Sequence, residues 1–178
     1  MRRCIVLSLA VVAAATAALA SEAETEFVWR QYVIAKNRLS YEVFELCSHR
    51  WPDLPTTVSL QRDQQLASIA IRDLKFRHLL EHDPGRLRLD RGLPGLARFE
   101  WTEADSEALR EAHPEFVQLE SFLKMIERDM AEDAKMYELR RRMIALQDDP
   151  DYQRLMQRFD SHVAVLESSL LAAPIPIE

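Results

Sequence analysis

The sequence predicts an all-α protein, an irregular helical bundle of about four to five helices with one long central loop. Apolar residues recur at spacings of three and four over most of the chain, which is the period of an amphipathic helix. The chain has only three glycines, all between residues 85 and 95, and few alternating β-branched runs. Helices are therefore expected on both sides of a single irregular segment.

Residues 1–20 have the parts of a cleavable secretory signal peptide. Arg2 and Arg3 make a positive start, an apolar stretch follows, and the small residues that end at Ala20 fit the cleavage rule. The apolar stretch is shorter than the roughly 20 residues that span a bilayer, so we expect cleavage and no membrane span in the mature protein. This predicts a periplasmic protein, with secretion beyond the periplasm as the less favoured alternative.

The charge balance limits the classes of partner. The formal net charge is −6, and cleavage would remove two arginines and no acidic residue. An acidic mature chain is a poor match for nucleic acid or for general adsorption to anionic lipid, since both need a basic surface. The length of residues 21–171 suits one domain with a real core.

Cysteine usage excludes an internal disulfide in the mature chain. Only Cys47 remains after cleavage. Cys47 lies beside an apolar line on a predicted helix, so a buried thiol is favoured and an intermolecular disulfide is the alternative.

The helical pattern divides the chain into successive segments. Helices are predicted over residues 22–48, 57–81, 102–112, 114–147 and 149–171. The segment 114–147 would be on the order of 50 Å long, so it either bends or its far end contacts a partner, which includes a second copy in a homodimer. Residues 172–178 form an apolar tail that two prolines keep extended.

The predicted loop, residues 84–101, is the main candidate for binding another protein. A connection of this length is often functional. Its arginines alternate with leucines and end beside an aromatic ring, a composition typical of interface hot spots. The candidate partner-binding residues are Arg86, Arg88, Arg91, Arg98 and Phe99. In the alternative interpretation the leucines and Phe99 close the end of the bundle while the arginines pair with acidic helices.

One short motif resembles a zinc site. His78-Leu79-Leu80-Glu81-His82 resembles the H-x-x-E-H signature of inverzincin metalloproteases, in which the histidines bind zinc and the glutamate activates water. Enzymes of that family are large α/β proteins with a further carboxylate ligand on a distant helix, whereas this chain is short and helical. His78 also continues an apolar line, which favours a core or edge histidine, and no metal or cofactor is predicted.

Other catalytic patterns are missing from the sequence. No serine lies in a G-x-S-x-G context, no glycine-rich loop precedes a helix, and C-x-x-C-H does not occur. One enzyme class resembles the chain in size, export and helical content, the exported chorismate mutases, which bind a dicarboxylate between helices. For that class the candidate pocket residues are Arg38, Arg72, Lys75 and Glu127.

The sequence therefore favours a non-catalytic periplasmic protein that binds another protein, such as an immunity protein, an inhibitor or an envelope chaperone. The alternative is a small exported enzyme of the chorismate mutase type or a metal-binding protein. A deep pocket with several converging buried charges would favour the enzyme, and an open concave or extended apolar surface would favour a protein that binds another protein.

Overall fold

The computed structural model describes residues 3–88 and 91–172, with side chains described for residues 22–88, 91–94 and 96–170. These residues form helices and turns without any strand, so the predicted all-α class is confirmed. The described helices are α1 (Arg3–Arg50), α2 (Pro55–His82), a 3-10 helix (Pro84–Leu87), α3 (Gly92–Leu96), α4 (Glu103–Ala112), α5 (Pro114–Glu132), α6 (Met136–Leu146) and α7 (Pro150–Ala172). The prediction of four to five helices was too low.

The four longest helices are neighbours in the order α7, α1, α2 and α5. The three shorter helices are attached to this row, with α3 against α7, α4 against α5 and α6 against α2. Helix α1 thus has a long neighbour on each side. Any site between α1 and α2 lies in the middle of the fold.

The predicted helix over residues 114–147 is two helices, α5 and α6. The break occurs at Asp133, whose backbone is extended with φ −75° and ψ 108°. Its carboxylate accepts hydrogen bonds from the Thr57 hydroxyl at 2.6 Å and from the Lys135 backbone N–H at 2.8 Å. The bond to Lys135, two residues on, is a local side-chain turn contact that directly precedes α6. The chain therefore bends within this segment, as one of the two predicted alternatives has it.

The segment 84–101 is mostly folded, which corrects the prediction of one long irregular loop. The 3-10 helix and α3 lie within it, and the side chains of Leu87, Leu93 and Leu96 are buried. Gly92 begins α3 with φ +62°, and a Cβ there would lie 2.6 Å from a carboxylate oxygen of Glu167. Apolar burial and this close approach explain why the segment has leucines and glycines without a helical period.

The predicted helix starts at residues 102 and 114 agree with local start signals in the structure. Thr102 and Asp105 form a capping box at the start of α4, with the Thr102 side chain bonded to the Asp105 backbone and the Asp105 side chain bonded back. Pro114 occupies the first turn of α5. Both signals depend only on residues that are close in the sequence, so these helix starts can be predicted from the sequence alone.

Buried apolar side chains form two clusters at opposite ends of the α1–α2 pair and a smaller third one. The first consists of Val28, Trp29, Phe76, Leu79, Leu87, Leu93, Leu96, Leu166 and Leu170. The second consists of Cys47, Leu54, Val58, Met136, Leu139 and Leu146. The third joins α2, α4 and α5 through Leu74, Leu109 and Phe116. The middle of the α1–α2 interface lies between these two clusters, and the side chains of neither cluster occupy it.

Helix α1 begins earlier than the predicted residue 22, because the described backbone is helical from Arg3. The side chains of the predicted signal segment lie outside the described set, and so do residues 173–178 of the predicted tail. Among the residues searched, no helix is long and apolar enough to cross a membrane.

Candidate functional site

Arg86, the first residue of the predicted partner-binding set, is part of the fold. Its guanidinium forms a two-pronged ion pair with the Asp105 carboxylate at 2.7 and 3.0 Å and donates to the Glu100 carbonyl at 2.9 Å. This contact raises the pKa of Arg86 and holds that of Asp105 far below its usual range. The ion pair of Arg86 therefore connects the 3-10 helix to the first turn of α4 and stabilises their contact.

The rest of that set is spread along the same end of the bundle. Arg88 is half-buried with a left-handed backbone, φ 52°, while Arg91 and Arg98 are exposed. Phe99 is half-buried, packs on the first apolar cluster and meets the Trp101 ring edge-on at 6.2 Å. The structure thus supports closure of the bundle end by Phe99 and the leucines, and leaves Arg91 and Arg98 at the surface.

The two histidines of the zinc-like motif stack on each other with ring centroids 4.4 Å apart. The Nδ1 of His82 donates to the His78 carbonyl at 2.9 Å, and His78 packs edge-on against Trp101 at 5.8 Å. In the part of the chain with described side chains, no group of three or more His, Cys, Asp or Glu residues could hold a metal ion. The motif at this position is a helix-end aromatic cluster.

A cavity of about 470 Å³ lies between α1 and α2 and is open at one side, with parts of α6 and α7 also lining it. Its size is within the roughly 300–1,000 Å³ of ordinary ligand pockets. The lining residues are Trp29, Tyr32, Val33, Lys36, Leu39, Ser40, Val43, Gln64, Gln65, Ser68, Ile69, Arg72, Met143, Tyr152 and Met156. The set contains cationic, amide, hydroxyl and apolar groups and no carboxylate.

The cavity exists because polar residues occupy inward positions of two helices. On α1 the lining residues follow one another at three- and four-residue spacing, and Lys36 and Ser40 lie in the middle of that line. On α2 the same spacing brings Gln65, Ser68 and Arg72 to the facing side. Sequence analysis named only Arg72 among these polar residues as a candidate and placed it in a different set, so it missed the site. Aligned polar interruptions on two adjacent helices were the available signal.

Two cationic side chains line this cavity. Lys36 comes from α1 and Arg72 from α2, and neither forms an ion pair with a described residue. Burial lowers the pKa of the Lys36 ammonium, and the nearby Arg72 guanidinium lowers it further. Burial also raises the pKa of the Tyr32 hydroxyl, which keeps Tyr32 protonated. The cavity wall is thus positive and rich in hydrogen-bond donors.

The end wall of the cavity is held rigidly. The indole N–H of Trp29 donates to the Asp73 carboxylate at 2.9 Å, and the Trp29 ring stacks on Phe76 at 4.2 Å with an interplanar angle of 12°. Trp29 is 2% exposed, so a side chain of large volume closes this end. The opposite wall has the sulfur side chains Met143 and Met156, which adapt to irregular apolar shapes.

A larger depression of about 870 Å³ lies on the surface between α1 and α7. Its two arginines already have carboxylate partners, Arg154 with Asp151 and Arg158 with Glu42. The arginines of that depression are therefore paired within the fold, in contrast to the cations of the cavity between α1 and α2. The smaller cavity is the better candidate site.

The residues proposed for a dicarboxylate pocket do not converge. Arg72 lines the cavity, whereas Arg38 is exposed in a separate groove between α1 and α7. The Lys75 ammonium lies 4.8 Å from the centre of the Trp101 ring, and Glu127 is exposed on α5. Only Arg72 of these four residues lines the cavity, and the other cation at the cavity is Lys36, which was not in the predicted set.

Cys47 is buried, as the sequence favoured. It is 2% exposed, and its thiol donates to the Met143 sulfur at 3.6 Å. Burial raises the pKa of the thiol to about 11. The thiol is therefore protonated near neutral pH and belongs to the second apolar cluster.

Comparisons of the chain with protein-family models, curated proteins and solved structures found no match. The chemistry of the site rests on its geometry alone. The arrangement can bind an anion and shield an apolar group beside it.

Proposed function

We propose that this protein binds a small organic anion, a carboxylate with an apolar body, in the cavity between α1 and α2. The observation that carries the proposal is the pair Lys36 and Arg72, which face one cavity without an ion-pair partner among the described residues. In an acidic chain in which many of the other arginines pair with carboxylates, a cationic cavity of this kind favours an external anion.

The body of the ligand follows from the other walls. Trp29, Ile69, Met143 and Met156 offer apolar and aromatic surface, while Gln65 and the serine hydroxyls offer hydrogen bonds at the cationic side. A short aliphatic or aromatic acid satisfies both parts of this lining. A fully hydrated inorganic ion would leave the apolar wall uncovered.

Binding is tested with pentanoate and benzoate against their neutral amides, by calorimetry and by tryptophan fluorescence in a Trp51→Phe, Trp101→Phe background in which Trp29 is the remaining indole. We expect the acids to bind and the amides to bind at least about tenfold more weakly, because a charge-assisted hydrogen bond contributes about 1.5–3 kcal/mol. Arg72→Gln and Lys36→Gln should each weaken binding of the acids by a similar factor. Arg38→Gln, an exposed arginine of the same helix as Lys36, is the matched control and should leave binding unchanged.

Equal binding of acid and amide, or equal affinity in the parent and in both cavity variants, would overturn the proposal. Thermal unfolding of each variant shows whether a loss of binding comes from a loss of folding. Since Arg72 is exposed at the cavity mouth, Arg72→Gln is expected to fold normally.

A second candidate function is the one the sequence suggested, binding of another protein at the closed end of the bundle. The observation in its favour is the exposed Arg98 side chain, which forms no ion pair with a described residue and lies beside half-buried Phe99. A purified partner that binds the parent and loses affinity for Arg98→Glu, but not for Arg154→Glu, would support it. Such a protein would act in the periplasm if the predicted signal is cleaved.

A further inference from the structure

Lys36 has surroundings that are unusual for a lysine. Its ammonium nitrogen lies 5.9 Å from the centre of the Tyr32 ring and 5.6 Å from the centre of the Phe159 ring. The side chain is half-buried and, among the described residues, has no carboxylate partner. The amine thus lies near two aromatic rings, of which Tyr32 lines the cavity and Phe159 lines the neighbouring groove between α1 and α7.

Two physical effects favour the neutral amine at this position and outweigh the attraction of the ring faces for the ammonium. Burial is the larger and the nearby guanidinium of Arg72 is the second, and both lower the pKa of Lys36. An amine that loses its proton more easily is a better nucleophile toward carbonyl carbon, and desolvation beside a second cation is an established way to obtain one. An ordinary surface lysine stays protonated near neutral pH and reacts slowly.

We propose that Lys36 forms an imine with a small oxo acid bound in the cavity, while Arg72 holds the carboxylate of that acid. This inference rests on the proposed anion binding and adds a carbonyl group to the ligand. The two residues come from different helices and line one cavity. A single short oxo acid can therefore place its carboxylate at Arg72 and its carbonyl group at Lys36.

The reaction is a condensation that needs no oxidant or reductant. The neutral nitrogen of Lys36 attacks the carbonyl carbon, a C–N bond forms, and the carbonyl oxygen takes up a proton to give a carbinolamine. Loss of the hydroxyl as water and of the second nitrogen proton leaves a C=N bond. Tyr32 lines the same cavity one helical turn before Lys36, and its hydroxyl, kept protonated by burial, is the proton donor that the leaving oxygen needs.

The remaining lysines give built-in comparisons, because the chain has only Lys36, Lys75, Lys124 and Lys135. Lys75 also lies over aromatic rings, 4.8 Å from the centre of Trp101, and its pKa is lowered chiefly by burial. It does not line the cavity. Lys124 and Lys135 are exposed. Reaction at Lys36 but not at Lys75 would show that the cavity, and not a lowered pKa alone, selects the amine.

The test is reductive trapping. The purified protein is incubated near neutral pH with levulinate and cyanoborohydride, digested, and analysed by mass spectrometry for lysine alkylation. We expect Lys36 to be labelled at least about tenfold faster than each of the other lysines. Arg72→Gln should reduce the labelling of Lys36, Tyr32→Phe should slow it without loss of levulinate binding, and Lys75→Arg should have no effect.

Labelling spread evenly over the four lysines, or labelling of Lys36 that is indifferent to Arg72→Gln, would overturn the imine. Pentanoate, which lacks the carbonyl group, separates this result from the proposed function. If pentanoate binds the parent while Lys36 stays unlabelled by levulinate, the anion site stands and the imine fails; if neither acid binds, both proposals fail. Lys36→Arg keeps the charge and removes the nucleophile, so it should still bind pentanoate but give no adduct at this position, and its melting temperature confirms folding.

Discussion

The Thr57 hydroxyl donates a 2.6 Å hydrogen bond to the carboxylate of Asp133, and this contact lies at the point where the chain leaves α5 and enters α6. Thr57 is 1% exposed, while the same carboxylate also accepts from the Lys135 backbone. One side chain of α2 therefore helps fix the bend between two later helices. It also lowers the pKa of Asp133.

Loss of that hydrogen bond should destabilise the protein. Thr57→Val removes the donor but keeps the shape, and we expect a decrease of about 1–3 kcal/mol in the free energy of unfolding because the donated bond goes to a charged acceptor. Urea unfolding measures it, with exposed Thr56→Val as the control. A double-mutant cycle with Asp133→Asn should give a coupling free energy of at least about 0.5 kcal/mol. Additive effects of the two changes would contradict the interpretation.

The Arg86–Asp105 ion pair should make the free energy of unfolding decrease at acidic pH. The guanidinium, followed by the Thr102 hydroxyl and backbone N–H, holds the pKa of Asp105 below its ordinary value of 3.8. The stabilisation is therefore complete above that ordinary value and is lost as the pH falls through the lower folded pKa. Asp105→Asn should flatten the decline of the unfolding free energy below about pH 4. The exposed Asp160→Asn is the control, and equal acid sensitivity of parent and Asp105→Asn would refute the assignment.

His78 should make the free energy of unfolding depend on pH in a range closer to neutral than the range set by Asp105. Burial is the largest cause of its lowered pKa, with further lowering by His82 and His113 that Asp105 and Glu81 partly oppose. Since the folded state disfavours the protonated ring, stability is full above the ordinary pKa of 6.5 and decreases as the pH falls through the lower folded value.

The test is His78→Phe, which keeps a ring against Trp101 and removes the buried Nδ1 that has no hydrogen-bond partner. We expect the variant to lose less stability than the parent between about pH 7 and pH 5, and to be at least as stable near neutral pH. Chemical unfolding at both pH values measures this. The exposed His162→Phe should behave as the parent does, and a His78→Phe protein with undiminished pH dependence would show that another group is responsible.

Cys47 should resist alkylation. With a thiol pKa of about 11, the thiolate fraction near pH 8 is on the order of a thousandth. Iodoacetamide should therefore modify Cys47 in the folded protein at least roughly a hundredfold more slowly than in urea. Peptide mapping reads Cys47 separately from Cys4, and an added exposed thiol, Ser161→Cys, should react rapidly. Fast reaction of Cys47 in the native protein would mean that the packing against Met143 opens often.

The parts of the fold that the sequence predicted correctly depend on near neighbours. The Thr102–Asp105 capping box and Pro114 are readable within one helical turn. The break at Asp133 was not predicted, because its stabilising partner Thr57 lies 76 positions away. The buried leucines of the segment 84–101 fit the interpretation in which they close the end of the bundle. The helical turns within that segment were not predicted, because they depend on contacts with α1, α2 and α7.

The candidate cavity was missed for a similar reason. Lys36 alone is a polar residue on an apolar stripe, and Arg72 alone is a charged residue on the next helix. Their proximity is a property of how α1 packs on α2, which periodicity within each helix does not contain. The sequence analysis named Arg72 for a dicarboxylate site, but it combined that residue with three others that lie elsewhere.

Cleavage after Ala20 should leave the folded domain intact. Among the residues with described side chains, the first buried position of α1 is Thr25, followed by Val28 and Trp29 of the first apolar cluster. A chain that starts at Ser21 therefore keeps these core contacts of the helix. Expression in a Gram-negative host should yield a periplasmic protein whose N-terminal residue is Ser21, as read by intact mass, and Ala20→Tyr should block processing because the cleavage site requires a small residue. The processed protein should have the same melting temperature as a cytoplasmically produced chain of residues 21–178. Retention of residues 1–20 in the membrane fraction would instead show that this segment anchors the protein.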